Sequence, residues 1–332
     1  MDLQGQNGLL STYREGWRNR SLIGVAIAAV LVLFYVVLYW EHKVEEYFGV
    51  TPLTAVSEAL GLRNRWYLYG FLYSVAMVAG GVYYLRRHGN SRYNRYRITV
   101  NIAIQIALGF SLPFIMPLFG GKEIYLSYFW PLKYDYLYPQ TLADLPLYFA
   151  LYTVVGSLLA APLLAVIYGK RWYCSWVCGC GGLANTFGDP WRHLTSKSTK
   201  SWRFEQLSIH LVLFIAIATT FLIGLDWLIG KDHPTFHRIV ARNDWKDWSI
   251  KSFYGFAVGA ILAGVVGTGL YPVLGPRVWC RNFCPMAAIL GWVQKVGRYR
   301  IKVKPDMCIS CGNCSTYCEM GIDVRSYAQS NQ

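Results

Sequence analysis

The sequence predicts an all-α polytopic membrane protein, and three observations carry that prediction. Of the 332 residues, 54% are hydrophobic and only 15% are charged, whereas soluble domains carry about 25% charged residues. Six apolar stretches are long enough to cross a bilayer core about 30 Å thick. All nine cysteines lie in the second half of the chain, in three tight groups.

The six apolar stretches are the predicted transmembrane helices. They are Leu22–Trp40, Trp66–Leu85, Ile98–Phe119, Leu147–Ile167, Leu207–Leu228 and Phe253–Leu274. The first is longer than a signal-peptide core, so we expect an uncleaved anchor. The predicted organisation is a polar N-terminus at 1–20, four spans within 21–169, a cysteine loop at 170–206, two spans within 207–274, and a second cysteine segment at 275–332.

The net charge of +14 is unevenly distributed along the chain. Segments 1–20, 86–97, 170–206 and 275–332 hold 22 of the Lys and Arg residues, and the segments on the opposite side hold 10. By the positive-inside rule, both termini and every cysteine are predicted to be cytoplasmic. This distribution explains the basic excess without nucleic acid, so no nucleic-acid partner is expected.

The C-terminal cysteines have a spacing that is specific for one cofactor. Residues 308–318 read C-x2-C-x2-C-x3-C, the run by which bacterial ferredoxins bind a [4Fe–4S] cluster, with the fourth cysteine normally reaching a different cluster. A structural zinc site is the alternative, but zinc ribbons usually pair two C-x2-C units across a long gap. We therefore predict a small ferredoxin-like [4Fe–4S] module on the cytoplasmic side.

An internal repeat surrounds the remaining cysteines. GKRWYCSWVC at 169–178 and GPRVWCRNFC at 275–284 align with a constant shift of 106 residues. Two hairpin repeats, formed by spans three and four and by spans five and six, would thus deliver matching C-x3-C loops to one membrane face. Arg171 and Arg277 are candidates to offset cluster charge, although positive-inside anchoring explains them equally well.

With these motifs, the chain resembles the NapH/NosR/CcoG-type membrane polyferredoxins, and the NapH type most closely. The resemblance covers about 147–322 and rests on GKRWYCSWVC, WCRNFCP and CISCGNCSTYC. It implies a protein of the bacterial inner membrane that passes electrons between the quinone pool and a redox partner, such as another subunit or a cytochrome. A CcoG-type metal-reducing assembly factor and an anchor and wiring subunit of a larger complex are the alternatives.

Three departures from that family affect the expected cluster count. The first loop continues as Cys178-Gly-Cys180 where the family has Cys-Pro, only one C-x2-C-x2-C-x3-C run is present, and Glu319 replaces the final proline. Two clusters would use eight of the nine cysteines, and a single cluster is the alternative. The candidate ligands are Cys174, Cys178, Cys180, Cys280, Cys284, Cys308, Cys311, Cys314 and Cys318.

The only Cys-Pro in the chain is Cys284-Pro285, which suggested a partition of the ligands. It assigns Cys284 to the cluster of Cys308, Cys311 and Cys314. The second cluster would combine Cys318 with three of the four remaining cysteines. Because each cluster would then draw on both regions, we expect the C-terminal motif to lie over the membrane domain as a lid.

Candidate quinone-binding residues are fewer and less specific. Asp226, His233 and His237 cluster at the outer end of the fifth span, and His210 lies near its cytoplasmic end. Quinone chemistry needs a proton donor or acceptor beside an apolar pocket, although each of these could be a surface residue. Haem is not expected, because only His210 lies within a span. With clusters on the cytoplasmic face, we expect the pocket in the cytoplasmic half or a partner with further centres.

Overall fold

The computed structural model describes residues 22–119, 121, 123–230, 233–241, 249–298, 303–304, 307–316, 318 and 320–329. Within these residues the chain is helical and has no strand. The predicted N-terminal segment 1–20 lies outside the described residues. Six helices are long and apolar enough to cross a membrane, as predicted: Leu22–Phe48, Arg65–His88, Arg92–Phe119, Leu147–Tyr168, Thr199–Ile229 and Ile250–Gly269.

Shorter helical segments connect these spans or follow them. They are Pro52–Ala59, Tyr134–Leu137, Pro139–Asp144, Arg171–Trp176, Gly179–Asn185, Asp189–Leu194, Pro234–Val240, Tyr271–Leu274, Trp279–Phe283, Pro285–Gln294, Asn313–Thr316 and Val324–Gln329. Most spans extend beyond their predicted apolar stretch. An apolar stretch measures only the part of a helix that suits lipid, whereas the backbone hydrogen bonds continue until a capping group ends them.

Local chemistry accounts for several helix boundaries. The first span has a kink at Trp40 (φ −115°, ψ 25°), where its predicted apolar stretch ends. The second span begins where the Asn64 side chain accepts hydrogen bonds from the backbone N–H groups of Trp66 and Tyr67. Arg86, Arg87 and His88 occupy its last turn, where positive charge is favourable beside the helix dipole.

The spans pack in pairs around the segments that carry the cysteines. The first span packs along the sixth, and the second along the third. Gly264 permits close packing between the first pair, because a Cβ there would lie 3.0 Å from the Tyr35 ring. The fifth span packs against Trp279–Phe283 and Pro285–Gln294. The fourth span also packs against Pro285–Gln294.

The first cysteine hairpin (171–188) folds back between the second and third spans, which differs from the loop expected at the membrane face. A Cβ at Gly179 would lie 2.5 Å from the Tyr73 hydroxyl and 2.6 Å from Gln105 Oε1. A Cβ at Gly182 would lie 1.9 Å from Asn101 Oδ1. Glycines therefore provide the space that lets this hairpin enter, and its tip lies level with Tyr73, eight residues into the span that starts at Arg65.

The second cysteine hairpin (279–294) folds back beside the fifth and sixth spans in the same manner. A Cβ at Gly267 would lie 2.9 Å from the Trp279 side chain. The returning helix ends near the fourth span, where the Lys170 backbone N–H donates to Gln294 Oε1 at 2.9 Å. The repeated sequence thus forms two hairpins inserted into the bundle, and most residues at their tips are buried.

Candidate metal centre

Five cysteines from the two hairpins line one cavity within the main hydrophobic core. Four of them are only 4–8% exposed, and the fifth is half-buried. Aromatic and apolar side chains complete the walls, among them Tyr173, Trp279 and Met286. The cysteines are Cys174, Cys178, Cys180, Cys280 and Cys284.

Cys178 and Cys284 occupy equivalent positions in the repeat, and each immediately precedes a short helix. The Cys178 sulfur accepts hydrogen bonds from the backbone N–H groups of Gly181 and Cys180. The Cys284 sulfur accepts one from the backbone N–H of Ala287. Free N–H groups and the helix dipole favour negative charge at such positions. Both hairpin tips are therefore built to hold a thiolate.

Arg277 supplies a buried positive charge beside the thiols. Its side chain is 1% exposed, hydrogen-bonds Cys280 and donates to Asn185 Oδ1 of the first hairpin. Arg171 and Lys170 line the same cavity. The structure thus brings both predicted arginines to the cysteines, and Arg277 joins the two hairpins directly.

Burial makes free thiolates unfavourable in this cavity. It raises the pKa of Cys174 to about 11, with Cys178 acting in the same direction and Arg277 opposing the shift. Burial also raises the pKa of Cys280 to about 11, again opposed by Arg277. Cysteine binds metal as the thiolate. The positive charge of bound iron would therefore stabilise the thiolate form, which Arg277 alone does not stabilise enough.

The donor set fits an iron–sulfur cluster better than a single ion. Among the described residues, no three His, Cys, Asp or Glu side chains are placed to share one metal ion. A cube separates its ligands more widely, because each cysteine binds a different iron. Trp279 Nε1–H is buried without a hydrogen-bond partner among the described residues, and cluster sulfides accept such hydrogen bonds.

The C-terminal motif has a different environment. Cys308, Cys311 and Cys314 are exposed, and Cys318 is half-buried. Ser310 (φ 54°) and Gly312 (φ 78°) adopt left-handed backbone conformations, which curl the segment tightly. Ser315, Asp323 and Arg325 hold it together, since Ser315 Oγ donates to Asp323 Oδ1 at 2.7 Å and accepts from the Arg325 N–H at 2.8 Å.

The end of this motif packs against the cysteine cavity. Met320 is one of the residues that line it. A Cβ at Gly321 would lie 2.3 Å from Thr195 Cγ2 and 3.0 Å from Arg281 Nη1. Burial lowers the pKa of Lys197, and the adjacent Cys318 opposes that shift. These contacts place residues 320 and 321, which directly follow the motif, against the helical bundle.

The arrangement groups the cysteines differently from the partition based on Cys-Pro. Cys284 lies with Cys174, Cys178 and Cys280 around the cavity, and these three thiols raise its pKa further in addition to burial. Pro285 here begins the helix Pro285–Gln294. A proline at the first helical position has its own structural role.

The predicted quinone-site residues have other partners. His210 uses both ring nitrogens, donating from Nδ1 to the Gln206 carbonyl at 2.5 Å and accepting at Nε2 from Trp292 Nε1 at 2.8 Å. Asp226 is buried and hydrogen-bonds His237 Nδ1 at 2.9 Å. His233 is exposed. None of the four lines the cysteine cavity or the cavity described next.

Sequence reasoning missed a second cavity, of about 540 Å³, between the second and third spans and the segment 123–133. We call it the tyrosine cavity because Tyr39, Tyr67, Tyr69, Tyr73, Tyr125 and Tyr128 line it. Gln105 also lines it, and its amide donates to the Val177 carbonyl beside the cysteines. The polar Gln105 within an apolar span was one sequence signal for this site.

Comparison with known proteins agrees with this chemistry. Segments 150–197 and 255–304 match the 4Fe–4S binding domain family. Each matched segment contains one half of the 106-residue repeat and its C-x3-C pair, whereas the C-terminal motif lies outside both. No solved structure matches the chain.

Curated relatives are similar over about half of the chain. The chain is 24% identical over 172 residues to the putative electron transport protein YccM of Escherichia coli K12, which covers 52% of this chain and 48% of that protein. It is 25% identical over 167 residues to the methylamine utilization ferredoxin-type protein MauN of Paracoccus denitrificans, covering 50% and 53%. The chain thus spans about half the length of the curated relatives it matches.

The chain thus combines helices suited to a membrane with a buried multi-cysteine cavity formed by segments that match a 4Fe–4S binding domain. More specifically, two segments of the chain match a 4Fe–4S binding domain, and the chain is similar to ferredoxin-type and electron transport proteins over about half of its length.

Proposed function

We propose that this protein relays electrons one at a time between a membrane quinone and a redox partner through two [4Fe–4S] clusters. The observation that carries this proposal is the convergence of two buried C-x3-C hairpins on one cavity, covered by a ferredoxin-type motif. In such systems the clusters carry the redox chemistry, and the protein supplies ligation, position and tuning.

The ligand assignment follows the two environments. Cys174, Cys178, Cys280 and Cys284 would hold the inner cluster, and Arg277 would offset its negative charge. The four cysteines of the C-terminal motif would hold the outer cluster, with Cys318 as its fourth ligand because the inner cluster already has four, unlike the usual two-cluster ferredoxin arrangement. Cys180 is the one cysteine that this assignment does not use as a ligand. It lies next to Cys178 and is hydrogen-bonded to it. This arrangement uses eight thiolates for two clusters.

The exposed motif is the proposed exit toward the redox partner. Met307 is 75% exposed and Ile309 is 86% exposed beside the three exposed cysteines. Such an apolar, solvent-accessible rim suits transient contact with another redox protein. The distribution of Lys and Arg supports a bacterial inner-membrane orientation with both termini and this exit on the cytoplasmic side.

Metal analysis with spectroscopy tests the proposal. The purified full-length protein should contain about eight iron and eight acid-labile sulfide atoms. Dithionite should produce a paramagnetic signal from reduced clusters, and a quinol or a quinone should change its intensity. Four atoms of each would overturn the two-cluster assignment. The absence of iron and sulfide from protein purified without oxygen would overturn the function itself.

A further inference from the structure

We propose that the tyrosine cavity binds the headgroup of a quinone or quinol. This inference rests on the proposed function and identifies where its membrane-soluble electron carrier binds. The volume of about 540 Å³ lies within the usual range of 300–1,000 Å³ for small-molecule sites. Residues of two membrane-type helices, Arg65–His88 and Arg92–Phe119, contribute to its lining.

The lining matches a flat ring with oxygen atoms at its edge. Tyr69, Trp66 and Phe110 provide aromatic walls on which a ring can stack. The inner end carries the Tyr73 hydroxyl, which donates to Gln105 Oε1 at 3.2 Å and is hydrogen-bonded to Tyr128. A tyrosine hydroxyl both donates and accepts hydrogen bonds. The Tyr73 hydroxyl can therefore accept from the hydroxyl of a quinol, and it can donate to the carbonyl of a quinone in place of Gln105 Oε1.

The charged residues around the tyrosine cavity favour a neutral quinone over an anionic cofactor. Lys133 and Glu123 are the charged residues of its lining, and Glu123 Oε1 accepts a hydrogen bond from the Tyr67 hydroxyl at 2.6 Å. Lys133 is already paired with Asp135 at 3.1 Å. Phosphate recognition requires cations or clustered N–H groups around the ligand, and the aromatic inner end has hydroxyl and amide groups instead.

The inner end of the tyrosine cavity touches the first cysteine hairpin. A Cβ at Gly179 would lie 2.2 Å from the Tyr128 hydroxyl and 2.5 Å from the Tyr73 hydroxyl. Leu132 lines both the tyrosine cavity and the cysteine cavity. A ring at the inner end would thus be separated from Cys178 and Cys180 by little more than a glycine and a leucine.

This contact also explains an unusual feature of the first hairpin. Its sequence is Cys178-Gly179, whereas the equivalent position in the second hairpin is Cys284-Pro285. A proline ring at 179 would occupy the space of the two tyrosine hydroxyls. The two halves of the repeat differ at this position because only the first half adjoins the tyrosine cavity.

Photolabelling locates the site directly. The full-length protein, purified with its iron, is illuminated with a quinone that carries an azide on its ring, and labelled peptides are identified by mass spectrometry. We expect saturable labelling within 65–88 or 123–133, suppressed by a short-chain quinone but not by phospholipid. Labelling at 226–237, equal suppression by phospholipid, or the absence of saturable labelling would overturn the assignment.

Conservative variants test the named hydroxyls. Tyr73→Phe and Tyr128→Phe keep each ring and remove one hydrogen-bonding group, so each should weaken quinone binding roughly 2- to 10-fold. Tyr83→Phe is the matched control, since Tyr83 is in the same span as Tyr73 but is 44% exposed and its hydroxyl accepts from Arg87. Unchanged binding by both cavity variants, with iron content retained, would overturn the proposal.

The outcomes separate this inference from the function on which it rests. If iron and sulfide are present and dithionite reduces the clusters, but the label lies elsewhere, the binding site is wrong and the relay proposal stands. If iron and sulfide are absent, the relay proposal fails, and saturable labelling at Tyr73 and Tyr128 would still identify a quinone site.

Discussion

The two cysteine regions of this molecule use the same ligand in opposite environments. The hairpin cysteines are 4–8% exposed, apart from the half-buried Cys180, and come from chain segments 106 residues apart. The C-terminal cysteines lie within residues 308–318, and three of them are exposed. One region is assembled by the tertiary fold and the other by a single short segment. A defect in the hairpins should therefore damage the fold, whereas a defect in the motif should damage mainly its own cluster.

Replacing one cysteine in each region gives the largest expected contrast. Cys284→Ser should remove the inner cluster and most of the correctly folded protein, because metal binding in an assembled site contributes folding free energy. Cys311→Ser should leave the helical bundle folded and lower iron by about four atoms per protein. Iron content and the yield of monodisperse protein measure both effects. Equal yields from the two variants would contradict the comparison.

Removing the buried charge tests whether the inner site depends on Arg277. Arg277→Gln should destabilise the protein by about 3–5 kcal/mol, since it breaks a buried charged network. Arg87→Gln is the control, because Arg87 is exposed and contacts the Tyr83 hydroxyl at 3.1 Å. Thermal unfolding followed by loss of cluster absorbance measures the difference. Similar thermal midpoints for both variants would show that the buried charge of Arg277 does not stabilise the protein.

The contact between the two regions can be weakened at Gly321. Gly321→Val introduces a side chain where a Cβ meets Thr195 at 2.3 Å, and its backbone has φ 67°. We expect the motif to separate from the bundle and a chelator to remove iron several-fold faster. Gly61→Val is the control. Its backbone strain is similar, since Gly61 has φ 70°, but a Cβ at Gly61 would have no atom within 4 Å. Equal rates in the two variants would mean that the motif does not cover the cavity.

The smallest expected effect concerns tuning of the inner cluster. Trp279→Phe keeps an aromatic ring and removes the buried N–H. Loss of one such hydrogen bond, worth about 1 kcal/mol, should lower the one-electron reduction potential by roughly 40 mV. A redox titration of the full-length protein measures the shift, with Trp202→Phe as control because Trp202 is 46% exposed. An unchanged potential would show that the indole does not reach the cluster.

Much of the organisation was predictable because it depends on local composition. The six spans follow from their apolar stretches, and the repeat is visible in the register of its glycines, arginines and cysteines. Arg277 was identified as a candidate charge partner, and it lies beside Cys280. The placement of Cys284 was not predictable, because the Cys-Pro signal cannot distinguish a distant cluster ligand from a proline that starts a helix.

Composition and cysteine spacing alone predicted a helical protein of the membrane type that binds [4Fe–4S] clusters. Both signals, the length of an apolar stretch and the spacing of thiols, are properties of short segments. Only the tertiary structure decided that the hairpins enter the bundle. That insertion depends on glycines meeting particular side chains of distant helices, as Gly179 meets Tyr73 and Gly182 meets Asn101. The same packing formed the tyrosine cavity beside the cysteines. Contacts between segments far apart in the chain leave no periodic pattern in the sequence.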